Sequence, residues 1–268
     1  LLQTSVMKNE PAIINIEQAF EEIKIGKEGF TPQLKIQEVG EITAVVNGIA
    51  RVKGIPGVEF EELLKFSNDL YGLAFNLDEH EVGVVLLGEH WHLAAGDKVE
   101  RTERVMDVPV GDELIGRIIT PLGKPLDGKG AISFTKRLPI ERNAPSIMDR
   151  APVNVPLQTG VKVIDALVPV GRGQRELILG DRQTGKTAIA IDTIINQRDQ
   201  DVICIYCAIG QRASSVAKVV ASLNEKGAMD YTIVMVTEGN DPAGLTFIAP
   251  YAATSIGEFF MEKGRDVL

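Results

Sequence analysis

The eight residues GDRQTGKT, Gly180 to Thr187, carry the spacing G-x-x-x-x-G-K-[ST]. That pattern cradles phosphate when it lies between a strand and a helix. Gly180 and Gly185 let the backbone curl so that the N–H groups of Asp181, Arg182, Gln183 and Thr184 point inward. The helix expected from Lys186 onward adds the partial positive charge of its first turn, which includes Ala188. Lys186 is placed to reach the outer phosphates, and Thr187 to give its hydroxyl to Mg²⁺, a hard ion that takes few protein ligands and keeps most of its waters. A chance match in 268 residues is on the order of one or two in a hundred. Whether such a site hydrolyses a nucleotide or only holds one is left open by the loop itself.

The elements that must position this loop can be read around it. The apolar run ending in Leu179 is expected to be a buried strand, and the run Ala188 to Ile191 opens a helical pattern. Further strands are expected at 202–209 and at Thr232-Ile-Val-Met-Val. Helices are expected over VKVIDALVPV, from about residue 214, and up to Lys263. Strands alternating with helices imply a parallel sheet covered on both faces. Residues 34–107 instead read as about six short strands between turn signals, with Asn47-Gly48 as a two-residue hairpin, which suggests a small closed β-barrel. Ahead of it, PAIINIEQAFEEIKI (11–25) places Ile13, Ile16, Phe20 and Ile23 on one helical stripe. The fold class expected is thus an α/β P-loop domain with a parallel sheet (108–268), preceded by a six-stranded barrel (33–107) and an N-terminal amphipathic helix (within 1–32).

Composition narrows the classes. The hydrophobic content of 44 % supports well-filled cores, and no run of 18 apolar residues occurs. The first residues show neither a signal peptide nor a transit peptide, so a cytoplasmic location is expected. The net charge of −9 arises entirely within residues 1–110, which hold 10 Lys+Arg against 19 Asp+Glu. Phosphate backbones require clustered cations, so no nucleic acid is expected along this part. Cys204-Ile-Tyr-Cys207 has C-x-x-C spacing, but on an apolar strand the two side chains point to opposite faces, as core thiols do. His90-Trp91-His92 has no third ligand nearby except Glu89, too few for a metal site.

Taken together, the motifs resemble the alpha subunits of the F-type rotary ATP synthases. GEITAVVNGIARVKGI and NLDEHEVGVVLLG carry the resemblance in the barrel, and DVPVGDELIGRIITPLGKPLDGKG carries it at the junction. LQTGVKVIDALVPVGRGQRELILGDRQTGKTAIAIDTIINQ and AIGQRASSVAKVV carry it through the P-loop region. The resemblance implies a RecA-like P-loop domain holding ATP or ADP with Mg²⁺. It also bears on catalysis through Gln211: catalytic beta subunits have a glutamate at the matching strand end, which polarises the attacking water. A carboxamide cannot take a proton, and general-base assistance contributes about 10²–10⁴-fold. A regulatory, non-catalytic nucleotide site is therefore expected.

The same resemblance implies partners: beta subunits in an alternating ring, a gamma rotor, and a delta or peripheral-stalk subunit at the N-terminal helix. Contact with the membrane is then indirect, through an ion-translocating sector on whose cytoplasmic side the head sits. It implies too that the P-loop domain continues past Leu268 to a metal-holding carboxylate, an arginine and a C-terminal helical domain, so the chain is expected to be an N-terminal fragment. Two other classes compete. A catalytic P-loop ATPase would need a carboxylate at position 211. A ring-shaped RNA translocase would need basic and aromatic residues on the barrel, where 34–107 is acidic and Trp91 stands alone as tryptophan.

Overall fold

Asn47 and Gly48 both adopt positive φ (51° and 79°), the condition for a two-residue turn whose twist matches its strands. They join β1 (Val39–Val46) to β2 (Ile49–Lys53). The computed structural model describes residues 38–134 and 136–268, and the helix expected over 11–25 lies outside them. After β2 come β3 (Glu62–Lys65), β4 (Tyr71–Leu77), β5 (Val82–Leu86) and β6 (Lys98–Val105). These six strands close in the order β1-β2-β5-β4-β3-β6, every neighbour antiparallel. Alternate residues point inward, so Ile42, Ala50, Val52, Leu64, Val84 and Val99 fill the barrel. Closure removes the sheet edges that would otherwise pair with other chains.

Closure between β3 and β6 is reinforced by charge. Arg101 donates from Nε to both oxygens of Glu62, at 3.0 and 3.2 Å, and from Nη2 at 2.9 Å, while its Nη1 reaches Glu38 at 2.9 Å. Glu62 also accepts the N–H groups of Glu59 and Glu103. Burial alone would push the Glu62 carboxyl up; the Arg101 hydrogen bonds and the two N–H donors outweigh it and hold the group below its usual value.

Beyond the barrel, β7 (Asp107–Val110) pairs with β9 (Lys136–Pro139), and β8 (Ile118–Ile119) between them enters a second sheet. Arg117 grips Asp127 at 2.6 and 2.9 Å, and this buried pair, with the N–H groups of Ile118 and Lys129 on Asp127, folds the 117–130 loop against β8. The short β10 (Pro156–Leu157) and β11 (Val170–Gly171) flank α1 (Lys162–Leu167). Then come α2 (Lys186–Ile195), β12 (Val202–Gln211), α3 (Ala213–Glu225), β13 (Thr232–Glu238), α4 (Ala243–Glu262) and β14 (Asp266–Val267). The second sheet runs β14-β12-β13-β8, all parallel.

Both faces of that sheet are covered. Ile203, Ile233 and Met235 meet α4 through Ile248, Ala252, Ile256 and Phe260. On the other face Val202, Cys204, Ala208 and Val234 meet Ile194 of α2 and Val216, Val219 and Leu223 of α3. The two cysteines divide as expected: Cys204 lies on the α2/α3 side, and the Cys207 thiol faces the Ala249 carbonyl of α4 at 3.7 Å. Burial pushes their thiols up to about 12 and about 11, which leaves them protonated and unreactive at neutral pH.

One expectation is corrected. The apolar run ending in Leu179 is neither a strand nor buried: residues 174–180 are irregular, and Leu177 and Leu179 are 77 % and 80 % exposed. A strand exists only through a hydrogen-bonded neighbour, and none of the described strands pairs with this segment.

Candidate functional site

The P-loop is built by backbone conformation more than by side chains. Gln183 (φ 64°) and Gly185 (φ 90°) turn the chain left-handed on either side of Thr184, and Gly185 then stands as the residue before α2. The Thr184 hydroxyl donates to the Asp181 carbonyl at 2.9 Å, tightening the turn. Any Cβ at 185 would add strain at this φ, so the loop needs its glycine there. Gly180 is not left-handed, but a Cβ on it would lie 2.8 Å from the Thr184 hydroxyl, so a larger residue there would have to displace the hydroxyl that tightens the turn.

Lys186 folds back over this turn. Its ammonium donates to the Gly180 carbonyl at 2.7 Å and to the Asp181 carbonyl, which puts the positive charge at the centre of the loop. The first turn of α2 has no side-chain cap and no acidic residue, so its N–H groups remain available to an incoming acceptor. Asp181, Arg182, Gln183, Thr184, Thr187 and Ala188 are all exposed around it. A glycine turn, an uncapped ten-residue helix and a central ammonium suit a phosphate, and the exposed Thr187 hydroxyl, one residue into the helix, is a hard oxygen of the kind Mg²⁺ accepts.

Gln211 sits on a different element, at the C-terminal end of β12. A register shift between Ala208 and Gln211 breaks the ladder there, with Gly210 at φ 61°. Thr237 pins the irregularity, its hydroxyl accepting the Gly210 N–H at 3.2 Å and facing the Ala208 carbonyl at 3.4 Å. The carboxamide of Gln211 donates to the Tyr206 hydroxyl at 3.4 Å. No hydrogen bond among the described residues joins Gln211 to the P-loop. Topology nevertheless brings both to one edge: α2 ends at Ile195, and a short connection leads into β12 at Val202, so the start of α2 and the end of β12 face the same way. That edge, at the carboxyl ends of parallel strands, is where α/β sheets take ligands.

The structure adds two residues that the sequence did not single out. Tyr206 holds Gln211, and Glu238 is its in-register partner across β13. The polar run Thr237-Glu-Gly-Asn-Asp after the four apolar residues Ile233 to Val236 could have flagged the strand end, but not what lies opposite it. Among the described residues no group of three or more His, Cys, Asp or Glu could hold a metal ion, and no helix is long and apolar enough to cross a membrane. Trp91, between the two histidines, is 76 % exposed.

Comparison with known proteins bears on both parts of the chain. Residues 35–103 match the beta-barrel domain of the ATP synthase alpha/beta family, and residues 160–268 match its nucleotide-binding domain. The chain is 70 % identical over 252 residues to "ATP synthase subunit alpha 2" of Albidiferax ferrireducens, covering 94 % of this chain and 47 % of that protein. It is 69 % identical over 249 residues to "ATP synthase subunit alpha 1" of Marinomonas sp., covering 93 % and 49 %. To "ATP synthase subunit alpha 1" of Shewanella frigidimarina it is 64 % identical over 264 residues, covering 98 % and 51 %. The chain spans about half the length of the curated relatives it matches. A closed barrel and a P-loop sheet, each matched by a model of the same family and aligned together with alpha subunits, lead to one statement: the chain belongs to the ATP synthase alpha/beta family.

Proposed function

We propose that this chain is the regulatory, nucleotide-holding alpha subunit of an F-type ATP synthase, contributing to a complex that makes ATP from ADP and phosphate with a transmembrane ion gradient. Gly180 to Ala188 bind the phosphates of ATP or ADP, Lys186 pairs with their charge, and Thr187 contributes its hydroxyl to Mg²⁺. The bound cation would supply charge neutralisation to the phosphates. Gln211, at the same sheet edge, orients polar groups near the terminal phosphate but takes no proton. Beta subunits alternate with this chain in a ring about a gamma rotor, and residues 11–25 meet the delta or peripheral-stalk subunit. The head lies on the cytoplasmic side of the energy-transducing membrane, with 33–107 as crown and 108–268 as nucleotide domain.

The single observation that carries this reading is the Lys186 ammonium folded into a glycine turn ahead of an uncapped helix. Lys186→Ala is expected to weaken Mg-ATP and Mg-ADP binding by about 1.5–3 kcal/mol, the worth of a hydrogen bond to a charged group. Isothermal titration measures it, and equal affinity of parent and variant removes the assignment.

Non-catalysis has its own test. Gln211→Glu is expected to leave steady-state ATP hydrolysis by the purified chain at background, because one carboxylate does not replace an arginine supplied in trans, worth about 10³–10⁵ in related phosphoryl transfer. Turnover in the parent that vanishes with Lys186→Ala would favour the catalytic ATPase instead.

A further inference from the structure

The β12 strand changes faces before it reaches Gln211. Side chains alternate along a strand, so Cys204, Tyr206 and Ala208 pack on the side of the sheet that α2 and α3 cover, while Ile203, Ile205 and Cys207 pack toward α4. Regular alternation would put Gln211 with the second set, away from the helix that carries the P-loop. The ladder shows otherwise: Ala208 pairs with Val236 and Gln211 with Glu238, so three steps along β12 run against two along β13. One extra residue makes a bulge, and it sends every following side chain to the other face. Val234 and Val236 lie on the α2/α3 side, so Glu238 returns to that side and its partner Gln211 with it. The Gln211 carboxamide accordingly donates to the hydroxyl of Tyr206, a residue of the same side.

Two residues hold the bulge. Gly210 takes φ 61°, and a Cβ there would meet nothing within 4 Å, so the glycine serves the backbone conformation and not a shortage of space. Thr237 is fully buried, and its hydroxyl accepts the Gly210 N–H at 3.2 Å and reaches the Ala208 carbonyl at 3.4 Å. One side chain thus engages backbone groups on both sides of Ile209, where the regular ladder is interrupted.

We infer that Thr237 is a positioning residue of the nucleotide site: by pinning the bulge it turns Gln211 to the α2 side of the sheet and so favours Mg-ATP over Mg-ADP. The inference rests on the function proposed above, in which Gln211 works near the terminal phosphate. That phosphate is what the two nucleotides differ by, so a carboxamide held beside it adds hydrogen bonding to ATP that ADP lacks. Thr237 itself points the other way, in step with Ile233 and Met235, which meet α4. It therefore acts through the backbone of β12 and not by touching the ligand.

Isothermal titration of the purified chain with Mg-ATP and with Mg-ADP tests this. Thr237→Val has a similar shape without the hydroxyl; it should lower ATP affinity about tenfold, the low end for a hydrogen bond to a charged group, and leave ADP affinity within about twofold. Thr237→Ser keeps the hydroxyl and should restore the parental ratio. Gly210→Val enters open space but disfavours positive φ, so it should reproduce Thr237→Val, and it carries the test if circular dichroism shows that Thr237→Val does not fold. Gln211→Ala should remove the same preference, and adding Thr237→Val to it should change the ratio no further. Equal weakening of both nucleotides in Thr237→Val would mark a merely structural threonine and overturn the inference. An unchanged ratio in Thr237→Val and Gly210→Val, with Gln211→Ala altering it, overturns the positioning role while leaving the nucleotide reading intact. An unchanged ratio in Gln211→Ala removes Gln211 from the terminal phosphate and the inference with it, and a parent chain that binds neither nucleotide overturns the nucleotide reading itself.

Discussion

Arg101→Ala should destabilise the chain by about 3–5 kcal/mol, because it strands the buried Glu62 carboxylate without its cation. The Glu62 side chain is 4 % exposed and that of Arg101 15 %, so solvent screens the pair little. Four hydrogen bonds from one guanidinium join β3, β6 and Glu38, and losing them opens the barrel at its closing seam. Adding Glu62→Gln to Arg101→Ala should recover part of the loss by removing the unpaired charge. The effect also has a pH signature. The folded-state Glu62 carboxyl is held below its usual 4.5, so its stabilisation is fully present above that pH and fades as pH falls through the lowered folded value. Parent and Arg101→Ala should therefore differ most at neutral pH and converge in acid. Urea unfolding at pH 7 and below pH 4 measures both; a difference under about 1 kcal/mol at pH 7 would mean the pair behaves as a surface one.

Phe260→Ala should cost about 3–5 kcal/mol through lost burial and the cavity left behind. Phe260 is fully buried where α4 meets Ile203, Ile233 and Met235, and its ring stacks edge-on against Phe259 with centroids 5.2 Å apart. The same apolar cluster extends to Leu63 and Leu73 of the barrel. For a chain of this size each kcal/mol shifts Tm by roughly 2–4 °C, and a drop on the order of 10 °C is expected. Nucleotide affinity of the fraction that remains folded should stay unchanged, since Phe260 lies on the face of the sheet opposite α2. Calorimetry and titration on the same sample separate the two effects. A Tm within about 2 °C of the parent would show that α4 repacks around the gap.

Much of the architecture was legible because its causes are local. Asn47-Gly48 demands positive φ at both positions and so forces the hairpin between β1 and β2. Odd spacing on a strand sent Cys204 and Cys207 to opposite faces of β12. The P-loop could be recognised in the chain because its chemistry lies in eight consecutive residues, whose glycines and lysine act through backbone they themselves shape. Gln211 could be singled out by its resemblance to a family position, and the expected barrel and parallel sheet followed from alternation and from strands interleaved with helices.

What only the tertiary structure decided depends on partners distant in sequence. Apolar residues at 177–179 look like a strand in any window, but a strand requires a hydrogen-bonded neighbour, and no described strand supplies one. The hold of Tyr206 on Gln211 and the position of Glu238 opposite it depend on the register of β12 against β13, including a bulge that local periodicity does not encode. Arg101 and Glu62 lie 39 positions apart and meet only because the barrel closes. Phe60 and Phe75 lie far in the chain from Phe247 and Tyr251; packing left the four in solvent as one row, because burial is settled by the elements that meet a side chain and not by its own hydrophobicity.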